Sequence, residues 1–162
     1  MPSTGRRRPI PASAPPPRVS VLLDASVFLH ALGGEHALRT PCREVLAHRG
    51  LEFHASVELV LEVVFHRLRR VERDQAVADA RLVADSCRLH DFDANVLRRA
   101  LSLIAEGRVG GRDAVHAATA LEAGIGVIVS SDPDFEGIPG LDRVDPRNLN
   151  DVFSDDGIGM PT

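Results

Sequence analysis

The sequence predicts an α/β fold of three layers, in which helices cover a central, mainly parallel sheet of about four to five strands. Short aliphatic runs alternate with longer amphipathic segments along most of the chain, as in parallel sheets with helical crossovers. The chain has 162 residues, 44% of them hydrophobic, which fits one domain. Two of the aliphatic runs end in an aspartate, at Asp24 and at Asp132.

Strands are predicted where short runs of aliphatic and β-branched residues stand between turn signals. Helices on both faces of a parallel sheet bury its strands completely, so such runs need not alternate with polar residues. The predicted strands are VSVLL (19–23), LEFHA (51–55), CRLHDF (87–92), GVIVSS (126–131) and, at the edge, RVDP (143–146). Ligands of such sheets bind outside the carboxyl ends of the strands, and functional residues are expected there.

Helices are predicted between the strands from the spacing of apolar residues and from end signals. Ser56 and Asp93 are expected to cap two helix starts, while Gly107 and Gly124 are expected to end two helices. The predicted helices are 25–32, 36–49, 57–70, 72–87, 93–107, 113–123 and a short one at 147–153.

The two ends of the chain are expected to lie outside the folded domain, which spans 19–153. Residues 1–18 are rich in proline and arginine and poor in apolar side chains, which indicates a disordered tail. This tail has no hydrophobic segment, so its arginines are not expected to form a secretion or twin-arginine signal, and no run is long enough to span a membrane. Residues 154–162 are expected to be a flexible C-terminal tail.

Composition excludes several classes of protein. All 19 basic residues are arginine, so P-loop enzymes, Schiff-base enzymes and phospho-receiver domains cannot work here in their usual form. Cys42 and Cys87 lack metal-finger spacing and are expected to be free thiols of a cytoplasmic protein. The net charge of −4 argues against a general nucleic-acid coat, but it permits an acidic metal site flanked by local arginines.

Three aspartates are candidate metal ligands. Asp24 and Asp132 follow two strands and are expected at one edge of the sheet, although either alone could simply cap the next turn. Carboxylates are the ligands that Mg²⁺ and Mn²⁺ prefer. Asp113 precedes an alanine-rich stretch whose small side chains let a helix approach the sheet closely; its alternative role is a plain N-cap. Unpaired carboxylates in one cleft would repel, so without metal at least one should have a raised pKa.

Glu62 and His116 each leave more than one interpretation open. Glu62 shares a helical stripe with Glu58 and His66. This stripe could face solvent, enter a polar site or, least favoured, hold zinc, since the histidine pair of H-E-x-x-H is missing. His116 lies one turn after Asp113 and could be a general base. Packing under the site is favoured, because a metal-bound water needs no separate imidazole.

Four segments in chain order resemble the motifs of PIN domains. They are LLDAS (22–26), Ser56 with Glu62 and Val63, RDAVHAATA (112–120) and SSDPDF (130–135), with PGL (139–141) and Asp145–Pro146 resembling the family's tail. The resemblance covers about residues 19–153 and leaves out the tail before them. The sequence is thereby similar to PIN-domain ribonucleases, in particular the VapC-type toxins of bacterial toxin–antitoxin pairs.

The resemblance implies a PIN-like fold and a cytoplasmic endoribonuclease that hydrolyses RNA phosphodiester bonds with Mg²⁺, for which Mn²⁺ can substitute. It implies that Asp24, Asp113 and Asp132 ligate the metal and that Glu62 is the fourth catalytic acid. It further implies a cognate antitoxin, whose C-terminal segment blocks the site, and a homodimer.

Further residues are expected around these acids. Ser26 and Ser130 either hydrogen-bond a carboxylate or the phosphate, or only fix their turns. Asp134 either assists the metal or caps the turn before Phe135. Arg112 is the best candidate for a phosphate contact; more arginines lie at the end of one helix and along the following ones, where charge runs are usually solvated: Arg67, Arg69, Arg70, Arg73, Arg98, Arg99 and Arg108.

Six phenylalanines without tyrosine or tryptophan favour recognition of a structured RNA by shape and backbone over stacking of single strands. The main rival from another class is a catalytically silent acidic module that acts by binding a partner. A phosphatase with an aspartyl nucleophile would need Asp-x-Asp after the first strand and a lysine, and the sequence has neither. Cleavage of DNA is a lesser alternative.

Overall fold

Five strands form the centre of the protein, and every neighbouring pair runs parallel. The structure is a computed structural model that describes residues 17–153, so the predicted tails fall outside it except for Pro17 and Arg18. The strands are β1 (Val19–Leu23), β2 (Leu51–Ser56), β3 (Arg88–His90), β4 (Val127–Val129) and β5 (Asp142–Val144). Their order is β3-β2-β1-β4-β5, which confirms the predicted parallel sheet and puts β1 at its centre.

Seven α-helices and two short 3₁₀ helices connect the strands within the described residues. The α-helices are α1 (Ala25–Leu32), α2 (Arg39–Ala47), α3 (Val57–Arg67), α4 (Arg73–Ser86), α5 (Ala94–Ala105), α6 (Gly111–Glu122) and α7 (Leu149–Val152). The 3₁₀ helices are Pro133–Phe135 and Pro146–Asn148. Each predicted helix is present, but the last splits into the second 3₁₀ helix and α7. None of the described helices has the length and apolar character that crossing a membrane requires.

The sheet separates two apolar clusters, one on each face. Val21 and Leu23 of β1 belong to the cluster under α1 to α4, whereas Leu22, between them, belongs to the cluster under α5 and α6. Neighbouring residues of a strand point to opposite faces, so both faces of β1 are buried. This three-layer packing explains why the central strands read as continuous apolar runs.

The predicted end signals act as expected. The Ser56 hydroxyl accepts from the N–H of Leu59 at the start of α3, and Asp93 caps α5. Gly107 and Gly124 follow α5 and α6 with φ of 67° and 70°, a left-handed conformation that suits glycine. Cys42 and Cys87 are free thiols, as predicted.

Several elements are shorter than predicted. The strand predicted at 126–131 ends at Val129, because the residues after it turn away to form a 3₁₀ helix. The helix predicted from residue 36 begins at Arg39, because the N–H of Leu38 donates to the imidazole Nδ1 of His36 in a preceding turn (3.2 Å). The elements that carry the candidate acids nevertheless have the predicted type and order.

Candidate active site

Pairing between β1 and β4 brings two predicted acids to one edge of the sheet. Leu23 is in register with Val129, so the chain leaves both strands at the same level. Asp24 follows β1, and its N–H donates to the carbonyl of Val129 (3.1 Å). Asp132 follows β4 after two serines. The carboxyl ends of these strands therefore form the floor of the site, as the sequence predicted.

Ser130 connects the two strand-end acids. Asp24 is 6% exposed, and its Oδ2 accepts from the hydroxyl of Ser130 (2.9 Å) and from the N–H of Ser26 (3.3 Å). The same Ser130 hydroxyl accepts from the N–H of Asp132 (3.0 Å). Arg143 of β5, which the sequence did not single out, donates from Nη1 to the carbonyl of Ser130 (2.9 Å). Hydrogen bonds at both its hydroxyl and its carbonyl thus fix Ser130, and its hydroxyl orients the Asp24 carboxylate.

Asp113, Asp132 and Asp134 form a compact carboxylate cluster. One oxygen from each lies within 4.8 Å of the others. The N–H of Asp134 donates to Oδ1 of Asp132 (2.9 Å), so Asp132 caps the turn; the alternative that Asp134 is its cap is wrong. Within residues 17–153, no arginine or histidine forms an ion pair with any of the three. An oxygen-only donor set without a protein cation fits a hard divalent metal such as Mg²⁺ or Mn²⁺.

Asp113 lies in the first turn of α6, where the cap position belongs to Gly110. The interpretation of Asp113 as a plain N-cap is therefore wrong, since its carboxylate takes no part in capping. Burial raises its pKa to about 6, repulsion from Asp24, Asp132 and Glu62 adds to the rise, and His116 opposes it. The expectation that one carboxylate of the metal-free site has a raised pKa is confirmed.

Glu62 is held by a buried histidine rather than by the aspartate cluster. Nε2 of His116 lies 3.2 Å from Oε2 of Glu62, and Nδ1 of His116 lies 2.9 Å from the hydroxyl of Ser56. A carboxylate only accepts, so Nε2 carries hydrogen, and in the neutral ring the Ser56 hydroxyl donates to Nδ1. The hydrogen bond with His116 is the main reason that the pKa of Glu62 lies below its usual value. His116 is fully buried, as its favoured structural role requires.

The stripe around Glu62 faces the site and is not a zinc centre. His66 also contacts Glu62, with its Nε2 3.8 Å from Oε1 of Glu62. In the described part of the chain, the aspartate cluster is the one group of three or more candidate metal-binding side chains that lie close together. Glu62 therefore enters a polar site through its contact with His116.

Some of the predicted arginines form ion pairs within the protein, whereas others have guanidinium groups that could contact RNA. Arg67 is nearly buried in an ion pair with Asp79, 2.6 Å from Nε to Oδ2, and thus joins α3 to α4. Arg69 and Arg112 both lie over the half-exposed Phe65 ring, with Cζ 4.1 Å and 5.6 Å from its centroid. The charge of Arg112 also lowers the pKa of Glu62, so this arginine borders the acidic centre.

Comparison of the sequence with known proteins identifies its family. The family model of the PIN domain matches residues 21–141. The chain is 34% identical to Ribonuclease VapC7 of Mycobacterium tuberculosis over 133 residues, which span 78% of this chain and 91% of that protein.

Solved structures share the fold at lower identity. VapC20 of Mycobacterium tuberculosis, a sarcin–ricin loop cleaving toxin, aligns with a TM-score of 0.63 and 20% identity over 71% of this chain and 92% of its own. A toxin–antitoxin complex from Klebsiella pneumoniae aligns with a TM-score of 0.62 and 19% identity over 78% and 97%. The four acids, their order along the chain and these matches lead to one conclusion: the chain belongs to the PIN-domain family.

Proposed function

We propose that this protein is a metal-dependent endoribonuclease that hydrolyses RNA phosphodiester bonds and acts as the toxin of a type II toxin–antitoxin pair. The observation that carries the proposal is the aspartate cluster beside Asp24, which brings together oxygen ligands without a protein cation and in which the pKa of partly buried Asp113 is raised. The relation to Ribonuclease VapC7 supports RNA as the substrate.

Asp113, Asp132 and Asp134 would hold Mg²⁺, or Mn²⁺ in its place, and Asp24 would join them either directly or through water. One or two bound ions would supply activation of a water molecule and stabilisation of the leaving oxygen of the phosphodiester. The protein contributes the fixed geometry. Ser130 keeps Asp24 turned toward the site through its hydrogen bond to Oδ2, and partners of this kind tune metal affinity strongly.

Glu62 serves as a catalytic acid beside these four aspartates. The hydrogen bond from His116 keeps its carboxylate ionised and oriented, so it acts as an acceptor for water at the edge of the site and not as a proton donor. Arg112 borders the same edge and is the nearest candidate to contact a phosphate of the RNA. His116 itself has no solvent exposure and therefore positions Glu62 without touching the substrate.

An antitoxin and a second copy of the chain are the proposed protein partners. Two helices expose rows of large apolar side chains, which in a soluble domain mark interaction surfaces. These side chains are Leu61, Phe65 and Leu68 of α3 and its end, and Leu97, Leu101 and Ile104 of α5. The toxin–antitoxin complex with the same fold supports the first partner. An RNA substrate and free thiols favour the cytoplasm as the location.

The test is cleavage of total RNA, tRNA and ribosomes by the purified protein in Mg²⁺ or Mn²⁺ and in EDTA. Discrete fragments are expected with metal and none with EDTA. Asp24→Asn and Asp113→Asn are expected to lose cleavage. Asp142→Asn is the matched control, because Asp142 is an exposed aspartate at the opposite end of the strands, and it is expected to cleave normally.

Intact RNA in every reaction, with folded protein that binds Mn²⁺, would refute the nuclease and favour the silent binding module. Single-stranded and duplex DNA are incubated in parallel, because cleavage of DNA alone would replace RNA as the substrate class.

A further inference from the structure

A cleft opens beside the acidic centre, between the end of α1, the loop after it and the end of α3. Its volume is about 480 Å³. We name it the histidine cleft, because three histidines line it. Its polar lining residues are Ser26, His30, Glu35, His36, His66 and Arg70. Ser26 donates its N–H to Asp24 (3.3 Å), and Nε2 of His66 lies 3.8 Å from Glu62. The cleft therefore leads directly to two of the catalytic acids.

The lining of the cleft includes a cation without an ion-pair partner in the described part of the chain. Arg70 is exposed, and no carboxylate lies within ion-pair distance of its guanidinium in residues 17–153. Glu35, the acid of the lining, is neutralised by an ion pair with Arg39. A phosphate that approaches four carboxylates needs a cation nearby, and a guanidinium is well suited to that role. Arg70 supplies it at the mouth of the cleft.

Two of the imidazoles are stacked. The ring centroids of His30 and His36 lie 4.6 Å apart, and the ring planes differ by 10°. His30 is partly buried in the last turn of α1, whereas His36 is exposed in the following loop. Unpaired RNA bases stack on aromatic side chains, histidine among them. The exposed ring of His36 can therefore extend the stack by one base.

We propose that the histidine cleft binds one unpaired nucleotide of the RNA next to the bond that is cut. Its base stacks on His36, and its phosphate contacts Arg70. The inference rests on the proposed function and names its substrate class further: an RNA with a splayed base beside the scissile phosphate. It also modifies the expectation, drawn from the absence of tyrosine and tryptophan, that shape and backbone alone are recognised.

The experiment measures binding, so that its outcome is separate from cleavage. Full-length Asp113→Asn protein in EDTA is titrated into a short, fluorescein-labelled, single-stranded oligoribonucleotide of mixed sequence, and anisotropy gives Kd. In this Asp113→Asn background, the further substitution Arg70→Ala is expected to weaken RNA binding about tenfold. It should also reduce the slope of log Kd against log salt by about 0.7, the loss of one phosphate contact on a single strand.

His36→Asn tests the stacking. Asparagine retains an acceptor for the N–H of Leu38, which now bonds Nδ1 of His36 (3.2 Å), but it removes the ring. Binding is expected to weaken about tenfold with an unchanged salt slope, while His36→Phe retains affinity. An abasic oligomer of the same length should bind the parent and His36→Asn equally.

Arg49→Ala is the matched control, because Arg49 is an exposed arginine that lines another cleft, at the opposite end of the strands. It is expected to leave Kd unchanged. The proposal is overturned if Arg49→Ala and Arg70→Ala weaken RNA binding equally. It is also overturned if His36→Asn weakens binding of the abasic oligomer as much as binding of the RNA. If the variants bind RNA as expected but the wild-type protein never cleaves it, the proposal for the histidine cleft stands. Only the proposed nuclease activity is then refuted.

Discussion

Asp24 and Ser130 form the most constrained contact of the acidic centre. The two residues are buried at the ends of neighbouring strands, and a single hydroxyl positions Asp24 while it accepts the N–H of Asp132. Both hydrogen bonds that the Asp24 carboxylate accepts go to Oδ2, so Oδ1 has no protein partner within residues 17–153. That oxygen remains available to a ligand.

Asp113 is expected to destabilise the metal-free protein at neutral pH. Its pKa of about 6 in the folded protein exceeds its ordinary value of 3.8, so the folded state binds more protons than the unfolded state between these two values. Stability contributed by its protonation is present at low pH and is lost as pH rises through about 6. Asp113→Asn should therefore raise the free energy of unfolding in EDTA at pH about 7.5 by about 1–2 kcal/mol, a figure discounted for partial exposure.

Urea denaturation at several pH values measures this effect. The advantage of Asp113→Asn is expected to shrink as pH falls toward 4, while Asp142→Asn, the exposed control, gains nothing at either pH. A variant that is less stable than wild type at pH about 7.5 would contradict the destabilisation of the Asp113 carboxylate by burial and by its acidic neighbours.

The sequence indicates where along the sheet an acidic residue lies better than it indicates which groups its side chain contacts. Asp24 and Asp132 could be predicted, because a parallel sheet brings the residues that follow its strands to one edge. Asp134 remained ambiguous, because the direction of its side chain depends on which aspartate caps the turn. In the structure Asp132 accepts the capping N–H, and the Asp134 carboxylate is free to join the cluster.

Helices α3 and α6 are joined beneath the site by one chain of hydrogen bonds, from Ser56 through His116 to Glu62. Ser56 ends β2 and caps α3, and it is separated from His116 by 60 residues. No local pattern relates residues so distant in sequence, which is why the hydroxyl of Ser56 was predicted only as a cap.

Ser56→Ala should therefore impair both stability and catalysis. Loss of the cap and of the bond to His116 is expected to cost about 1–2 kcal/mol of unfolding free energy. Because His116 then loses its anchor, kcat should fall about tenfold, as for other supporting residues of metal sites. Denaturation and RNA cleavage at saturating Mn²⁺ measure the two effects.

The control for this prediction is Ser86→Ala. Ser86 is an exposed serine at the end of α4 that donates to the carbonyl of Leu82, and its loss should change stability by less than about 0.5 kcal/mol. A destabilised Ser56→Ala with unchanged kcat would mean that Ser56 is a cap and nothing more.

The molecule as a whole is acidic and must bind RNA through local features. Its net charge is −4, and Arg67 and Arg99, two of the predicted arginines, are in ion pairs with Asp79 and Glu122. Charge counts along the sequence could not separate these arginines from Arg70 and Arg112, because pairing between helices depends on the fold.

Metal binding should stabilise the whole fold, because the ligands come from elements far apart in the chain. At a metal concentration of about 100 times Kd, linkage contributes about 2.7 kcal/mol, which corresponds to a rise in Tm of about 5–10 °C for a domain of this size. Thermal unfolding with Mn²⁺ and with EDTA measures the shift. Asp24→Asn is expected to reduce it and Asp142→Asn to retain it; an equal shift in both would argue against the proposed ligands.

The pairing of β1 with β4 also has a consequence for biosynthesis. Asp24 is made early, but its partner strand begins only at Val127, and Asp132 follows still later. A chain that is still growing on a ribosome therefore carries the first acid long before it can place the last one beside it. The acidic centre can therefore form only after β4 and Asp132 have been synthesised, so a growing chain that stops before β4 lacks a complete acidic centre.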